Sequence, residues 1–186
     1  MCENCFASLK AKFINFDIGA VKAVAIYDYD DTLKKLIYQF KGCYDYELKD
    51  VFLSRYKTYL KMIFNGYILV PAPSSKLDDE KRGFNHVVEM YKCLGLTMEN
   101  VVIKTSKDKQ SSKTSKERLK IDSILVGKNL EKIRNKKVLI VDDIYTTGAT
   151  IFKMIEIVKT AKPKDIKVVV VAKTIDLNKR ENGNIP

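Results

Sequence analysis

The sequence predicts an α/β fold with a central, mostly parallel sheet flanked by helices. Short apolar runs alternate with amphipathic segments along the 186 residues, which is typical of strands alternating with helices. Residues 138–141 (VLIV) are mostly β-branched and suit a strand buried on both faces of a parallel sheet. A polar turn follows them, and Ile151, Ile155 and Val158 then repeat at helical spacing. This succession of strand, turn and helix is the building unit of such a sheet.

The individual elements are predicted from local apolar patterns. In chain order they are a strand at 22–27, helices at 31–40 and 46–64, a strand at 67–70, a helix at 85–94, and strands at 101–103, 124–126, 138–141 and 167–172. The strands are short apolar runs, whereas the helices carry apolar residues at three- and four-residue spacing. Pro71 and Pro73 end the strand at 67–70 because proline cannot donate to a sheet ladder. Residues 104–117 contain no apolar side chain and predict an exposed loop.

Two adjacent carboxylates, Asp142 and Asp143, lie where the strand at 138–141 is expected to end. Small and hydroxylated residues follow them, namely Thr146, Thr147, Gly148 and Thr150. A glycine-containing turn before a helix offers free backbone N–H groups and the favourable end of the helix dipole to a phosphate. Carboxylates repel a phosphate but suit hydroxyl groups or a cation. The segment therefore predicts a ligand with a phosphate beside vicinal hydroxyls, which describes a ribose 5-phosphate.

The charge of the chain is strongly positive. The formal net charge is +11, and basic residues concentrate in residues 104–120 and 128–137. Basic surface favours polyanions, whether a diphosphate or a nucleic acid strand. A solvated, lysine-rich surface is the alternative, and charge alone does not distinguish the two.

Several patterns indicate the compartment. No apolar run approaches the ~18 residues needed to cross a membrane, and the N-terminus lacks the long apolar core of a signal peptide. The four cysteines are unevenly spaced and do not suggest a disulfide framework. We therefore expect a cytoplasmic protein.

The stretch VLIVDDIYTTGAT at 138–150 resembles the phosphoribosyl diphosphate (PRPP) signature of type I phosphoribosyltransferases. Upstream segments resemble the ComF branch of that family, bacterial proteins linked to natural competence: ILVPAPSSK at 68–76, KRGFNH at 81–86 and DKQSSKTSKERL at 108–119. The chain departs from the family pattern at His86, where relatives carry glutamine, and at Lys113, where they carry leucine. The resemblance implies a type I phosphoribosyltransferase (Rossmann-like) fold with a small N-terminal appendage or hood.

The resemblance also implies roles for individual residues. The residues that it implies bind the ribose and the 5-phosphate are Asp142, Asp143, Ile144, Tyr145, Thr146, Thr147, Gly148, Ala149 and Thr150. Diphosphate binding falls to Ser74, Ser75 and Lys76, and catalysis to Asp142, Asp143, Lys76 and Arg82. Gln110, Ser111 and Arg118 belong to a loop that would close over the site. Arg82 either contacts the diphosphate or ties down the protein surface, and His86 is more typical of a satisfied polar residue than of a base.

The N-terminal segment, residues 1–20, carries Cys2 and Cys5 at the spacing of half a zinc site. ComF-type proteins often have two such pairs in an N-terminal zinc knob, so this segment resembles part of a knob or its remnant. Structural zinc requires four ligands. Either a pair was lost, or a second chain completes the site, or no zinc binds. Residues 21–186 are predicted to form the phosphoribosyltransferase-like domain.

The leading hypothesis is an enzyme that binds PRPP with Mg²⁺ and transfers its phosphoribosyl group to an unidentified acceptor, in a process linked to DNA uptake. The alternatives are a non-catalytic PRPP sensor, a single-stranded-DNA-binding module in DNA uptake, and a nucleobase salvage enzyme. Expected partners are PRPP, the acceptor, single-stranded DNA with the DNA-uptake machinery, and a second copy of the chain in a homodimer. We expect Mg²⁺ to be held mainly through PRPP.

Overall fold

The computed structural model describes residues 9–106 and 123–174. Its strands are β1 (Ile14–Ile18), β2 (Val21–Asp28), β3 (Tyr67–Pro71), β4 (Val102–Ser106), β5 (Ser123–Gly127), β6 (Lys137–Tyr145) and β7 (Asp165–Lys173). Its α-helices are α1 (Asp31–Gly42), α2 (Lys57–Ile63), α3 (Lys76–Arg82), α4 (His86–Lys92) and α5 (Ala149–Thr160). Short 3₁₀ turns lie at Tyr46–Asp50, Ser54–Tyr56 and Leu130–Ile133. The predicted α/β class is confirmed.

Five strands form the central sheet in the order β1-β2-β7-β6-β3. β2, β7, β6 and β3 run parallel, and β1 pairs antiparallel with β2 at one edge. The register pairs Pro71 of β3 with Val141 of β6, and the N–H of Ala72 donates to the Val141 carbonyl oxygen at 2.8 Å. The carboxyl ends of β3 and β6 therefore meet, which is where ligands bind in open α/β sheets.

The sheet is buried on both faces, as the continuous apolar runs of its central strands require. On one face α5 packs through its buried residues Ile151, Met154, Ile155 and Val158. On the other face α1 packs through Leu33, Leu36, Ile37 and Phe40, the apolar face expected from its sequence. Asp30 caps α1, because its side chain accepts the N–H of Leu33 at 2.8 Å.

The segment 46–64 is not one continuous helix, contrary to the sequence prediction. It forms two 3₁₀ turns followed by the short helix α2. Val51, Phe52 and Leu53 are consecutive and all buried. Successive residues of an α-helix lie about 100° apart around its axis, so a straight surface helix cannot bury three in a row. The break in the helix places all three in the core.

Other elements also differ from the sequence prediction, and β4 extends to Ser106, inside the segment predicted to be an exposed loop. β1 was not predicted, and since it pairs with β2, the domain boundary expected at residue 20 falls within a β-hairpin. Helix α3 was not predicted either; apart from Leu77 its residues are polar, and none is buried. β6 continues to Tyr145, because β7 pairs with it at Asp142, Ile144 and Tyr145. Asp142 and Asp143 therefore lie inside a strand rather than after it.

Phe40 is expected to carry much of the stability of the face formed by α1. It is fully buried and its ring centroid lies 5.6 Å from that of Phe52 and 5.2 Å from that of Phe84. Phe40→Ala should lower the free energy of unfolding by about 3–5 kcal/mol, because it removes the buried ring and leaves a cavity. Phe152→Ala, at a side chain that is 54% exposed, is the matched control. Urea denaturation measures both free energies of unfolding, and equal losses would contradict the packing of Phe40 in the core.

Candidate functional site

A hydroxylated turn joins β6 to α5 at the carboxyl edge of the sheet. Thr146, Thr147 and Thr150 are exposed, and Gly148 precedes α5 with a φ of 76°. These residues line a small polar pocket together with Asp142. The first N–H groups of a helix have no acceptor within the helix, and its dipole places partial positive charge there. The pocket therefore combines anion-binding donors with one carboxylate.

Asp143 is buried beneath this turn, with only 7% of its surface exposed. Its Oδ2 accepts a hydrogen bond from Lys41 Nζ at 2.7 Å and lies 3.2 Å from His86 Nε2. Its Oδ1 accepts the N–H of Ile144 at 2.7 Å. Lys41 belongs to the last turn of α1, and His86 is the first residue of α4. Two helices from one face of the sheet thus meet at a single carboxylate.

The Arg82 side chain forms hydrogen bonds with other groups of the protein. Its side chain is 8% exposed, and its Nε donates to the Lys41 carbonyl oxygen at 3.1 Å. One terminal nitrogen lies 3.2 Å from Asp79 Oδ1 and 3.1 Å from His86 Nδ1. A guanidinium can only donate, so His86 Nδ1 is the acceptor and His86 Nε2 carries the hydrogen donated to Asp143. These contacts support the interpretation of Arg82 as a residue that ties the structure together.

The loop after β3 joins the same network. Ser74 hydrogen-bonds Asp79, and Asn85 Nδ2 donates to Ser74 Oγ at 2.9 Å and to Asp79 Oδ2 at 3.2 Å. Asn85 also caps α4 by accepting the N–H of Val88 at 3.0 Å. Ser75 precedes α3, and Lys76, its first residue, is exposed. Since β3 pairs with β6, the predicted diphosphate loop lies beside the predicted ribose and phosphate segment.

The structure thus brings most of the predicted site residues to one edge of the sheet. Gln110, Ser111 and Arg118 of the predicted loop, and Cys2 and Cys5 of the predicted zinc half-site, lie outside the described residues. Within residues 9–106 and 123–174, no group of three or more His, Cys, Asp or Glu side chains is placed to hold a metal ion. No helix in that part of the chain is both long and apolar enough to cross a membrane.

Lys41 is the residue that sequence reasoning missed. It lies 102 positions before Asp143 in the chain, so no local spacing relates the two. The only feature of the sequence that distinguishes Lys41 is its position directly after Phe40, the last residue of the helix predicted at 31–40. The contact between His86 and Asp143, 57 positions apart, was equally invisible to local patterns.

The two adjacent carboxylates have opposite electrostatic environments. Burial, followed by the negative charge of Asp143, raises the pKa of Asp142 well above its usual range. Burial also acts to raise the pKa of Asp143, but the hydrogen bond from His86 and the charge of Lys41 outweigh it and hold that pKa below its usual range. At neutral pH Asp143 is therefore the carboxylate that the protein stabilises as an anion.

Comparison with known proteins identifies the class. A model of the phosphoribosyl transferase domain family matches residues 80–184, and the chain belongs to this family. Competence protein ComFC of Bacillus subtilis (strain 168) is 33% identical over 129 residues, covering 68% of this chain and 53% of the relative. Competence protein ComFC of Streptococcus pneumoniae (strain ATCC BAA-255 / R6) is 31% identical over 172 residues, covering 89% and 77%. The chain is a ComF-type phosphoribosyltransferase family protein, and its match spans about half the length of the Bacillus relative.

Solved structures with partial similarity include two phosphoribosyltransferases. A hypoxanthine phosphoribosyltransferase from Staphylococcus aureus has a TM-score of 0.45 and 15% identity, covering 76% of this chain and 70% of its own. An adenine phosphoribosyltransferase has a TM-score of 0.44 and 20% identity, covering 75% and 78%.

Gly148 is expected to be required for the shape of the turn. A Cβ at this position would overlap the phenol of Tyr145, and the φ of 76° is unfavourable for other residues. Gly148→Ala should lower the free energy of unfolding by more than the roughly 1–2 kcal/mol of the backbone term alone. Gly83→Ala is the matched control, since Gly83 has a φ of 82° and open space around its Cα. If both variants lose the same free energy of unfolding in chemical denaturation, the Tyr145 side chain moves aside without an energetic cost.

The two acids should respond oppositely to amide substitution. Asp143→Asn should lower the free energy of unfolding at pH 7 by about 1–3 kcal/mol, because buried donors of His86 and Lys41 lose their anionic acceptor, although the partial exposure of Lys41 limits the loss. Asp142→Asn should raise the free energy of unfolding, because it removes a buried charge next to Asp143. The pKa of Asp142 is higher in the folded than in the unfolded protein. Its carboxyl group therefore lowers the free energy of unfolding as the pH increases above the unfolded pKa of about 3.9. The gain from Asp142→Asn should therefore vanish below about pH 4, and urea titrations at both pH values test this.

Proposed function

We propose that this protein binds PRPP together with Mg²⁺ and transfers the phosphoribosyl group to an acceptor. The observation that carries the proposal is the pocket where the Asp142 carboxylate adjoins the hydroxylated turn at the N-terminus of α5. The turn offers N–H and O–H donors to the 5-phosphate, and Asp142 offers an acceptor to the ribose hydroxyls. Membership of the phosphoribosyltransferase domain family supports this assignment.

The reaction would break the bond between the anomeric carbon and the diphosphate oxygen, and the electron pair of that bond leaves with the diphosphate. A new bond forms from an acceptor atom to the anomeric carbon, and the acceptor loses a proton to solvent or to the diphosphate. Positive charge develops on the ribose as negative charge develops on the leaving group. The carboxylate of Asp142 near the ribose, and donors from residues 74–76 near the diphosphate, would stabilise these charges.

Mg²⁺ would neutralise charge on the diphosphate when bound. The donor set fits a metal that enters with the ligand, since Asp143 is already paired with Lys41 and His86. Asp142 and the oxygens of PRPP would supply the coordination.

The relatives' names connect them with competence, and we extend that role to this chain as part of the proposal. The acceptor would then be a molecule met during DNA uptake. The comparisons do not favour the sensor, single-stranded-DNA-binding or salvage alternatives over this one.

Isothermal titration calorimetry with PRPP and Mg²⁺ tests the proposal. Wild-type protein should bind PRPP saturably, and Asp142→Asn should weaken binding by about 10- to 100-fold, the effect of losing a hydrogen bond to a charged group. Asp17→Asn, at a carboxylate on β1 whose side chain is 57% exposed, is the control and should bind as wild type. Absence of binding by wild type, or equal affinity in Asp142→Asn, would overturn the proposed pocket.

A further inference from the structure

Strand β1 leaves one edge of the central sheet open in the part of the chain that the structure describes. β1 pairs only with β2, and none of its backbone groups bonds to another described segment. Such an edge presents backbone N–H and C=O groups that can pair with a further strand. Proline, lysine and bulges commonly prevent this pairing. β1 has the sequence INFDI, carries neither proline nor lysine, and pairs with β2 in unbroken register.

The backbone groups that β1 directs away from β2 belong to Asn15 and Asp17. A two-residue turn joins the two strands, so the residues that flank it, Ile18 and Val21, form a hydrogen-bonded pair. Hydrogen-bonded and non-hydrogen-bonded pairs alternate along an antiparallel ladder. Phe16 therefore bonds to β2, whereas the N–H and C=O groups of Asn15 and Asp17 point outward. Both of these residues are also exposed.

The sequence of β1 is complementary to a second copy of itself. Antiparallel pairing about Phe16 places Asn15 of each copy opposite Asp17 of the other, where their outward backbone groups bond. The Asn15 amide can also donate to that carboxylate. Pairing about Asp17 would instead oppose two carboxylates, which is unfavourable. Pairing about Asn15 would bring Asp17 opposite Phe13, whose φ of 48° lies outside the strand region.

A stripe of exposed apolar side chains lies on helix α2 beside this edge. Its members, Tyr59, Met62 and Ile63, are 47%, 68% and 40% exposed. They are spaced i, i+3 and i+4, so they share one side of the helix, whereas Leu60 is fully buried. The ring of Tyr59 packs on Phe13, directly before β1, with centroids 5.4 Å apart. We call these three residues the α2 stripe.

An open cavity of about 350 Å³ lies between the end of α2 and the edge of the sheet. Ile63 and Phe64 line it from α2, and Asn15 and Asp17 line it from β1. Part of the α2 stripe and the outward-facing residues of β1 therefore open onto the same surface.

Pairing of two β1 strands would bring the two α2 stripes together. Antiparallel neighbours are related by a twofold axis perpendicular to the sheet, so α2 of both copies lies on the same face of the joined sheet. The stripes then approach the axis from both sides, above the paired Asn15 and Asp17. Two five-residue strands alone would be marginally stable in water. The α2 stripes supply the apolar area that the strands lack.

We infer that this protein forms a twofold dimer in which β1 of each copy pairs antiparallel with β1 of the other about Phe16, and the α2 stripes cover the joined edge. This gives the homodimer predicted from the sequence a defined surface. It does not rest on the proposed function, since β1 and β3 lie at opposite edges of the sheet. The parallel strands of the two copies run in opposite directions, so each proposed PRPP pocket is complete within one copy.

Sedimentation equilibrium over a concentration series tests the dimer. The wild type should approach twice the chain mass of 21.3 kDa. Met62→Glu should be monomeric, because it places a charge in the apolar contact. Asn15→Pro should also be monomeric, because it removes an outward N–H that the folded monomer does not use. Phe152→Glu, at a side chain of α5 that is 54% exposed, is the control and should stay dimeric. Circular dichroism checks that each variant is folded.

Two charge substitutions at position 15 test the register. Asn15→Lys places an ammonium group opposite Asp17 of the other copy and should tighten dimerisation by about fivefold. Asn15→Asp places a carboxylate there and should weaken it by about fivefold. NMR-detected amide exchange gives a further readout. The amide hydrogens of Asn15 and Asp17 should exchange more slowly as the protein concentration increases, because pairing protects them.

Several outcomes would overturn the inference. A wild type that stays monomeric at the highest concentration would leave the α2 stripe to another segment or another protein. A dimer that survives Met62→Glu or Asn15→Pro would show that the copies meet through a different surface. Changes in the same direction from Asn15→Lys and Asn15→Asp would exclude the register about Phe16. If Asn15→Pro does not fold, these charge substitutions decide the strand pairing.

Calorimetry with PRPP and Mg²⁺ separates this inference from the proposed function. Met62→Glu should bind PRPP as the wild type does, because α2 does not line the proposed pocket. A dimeric wild type that fails to bind PRPP would overturn the proposed function and leave the dimer in place. A monomeric wild type that binds PRPP would do the reverse.

Discussion

The buried charge of Asp143 is the constraint on which the rest of the site depends. An ionised carboxylate inside a protein costs several kcal/mol unless partners with good geometry neutralise it. Here the partners come from separate parts of the chain, since Lys41 belongs to α1 and His86 to α4. Arg82 then joins both of them by further hydrogen bonds. Satisfying one carboxylate thereby fixes how two helices sit against the carboxyl end of β6.

The same arrangement shifts the pKa values of the two adjacent acids in opposite directions. Asp143 is favoured as an anion, and its charge together with burial disfavours ionisation of Asp142. Functional sites commonly sacrifice stability in this way. The anion-binding end of α5 lies beside Asp142 and gives the pocket donors next to an acceptor.

Local sequence patterns predicted a large part of the fold because each buried element carries its own periodicity. The apolar face of α1 and the runs of β3, β6 and β7 were identified from residues a few positions apart. The failures have a common cause. β1, the break after Asp50 and the extension of β6 to Tyr145 depend on what lies alongside in space. Pairing with β7, for example, keeps the acids inside a strand although their side chains are poor strand formers.

The sequence by itself determined the local arrangement of the candidate site. A strand, two acids and a hydroxylated turn opening a helix follow one another within thirteen consecutive residues. Only the tertiary structure decided the different surroundings of the two acids. Asp143 contacts Lys41 and His86, which are 102 and 57 positions from it in the chain. The strand directs neighbouring side chains to opposite faces, but the packing of α1 and α4 determines which face supplies a cation. Contacts between distant segments leave no local pattern, and so they were visible only in three dimensions.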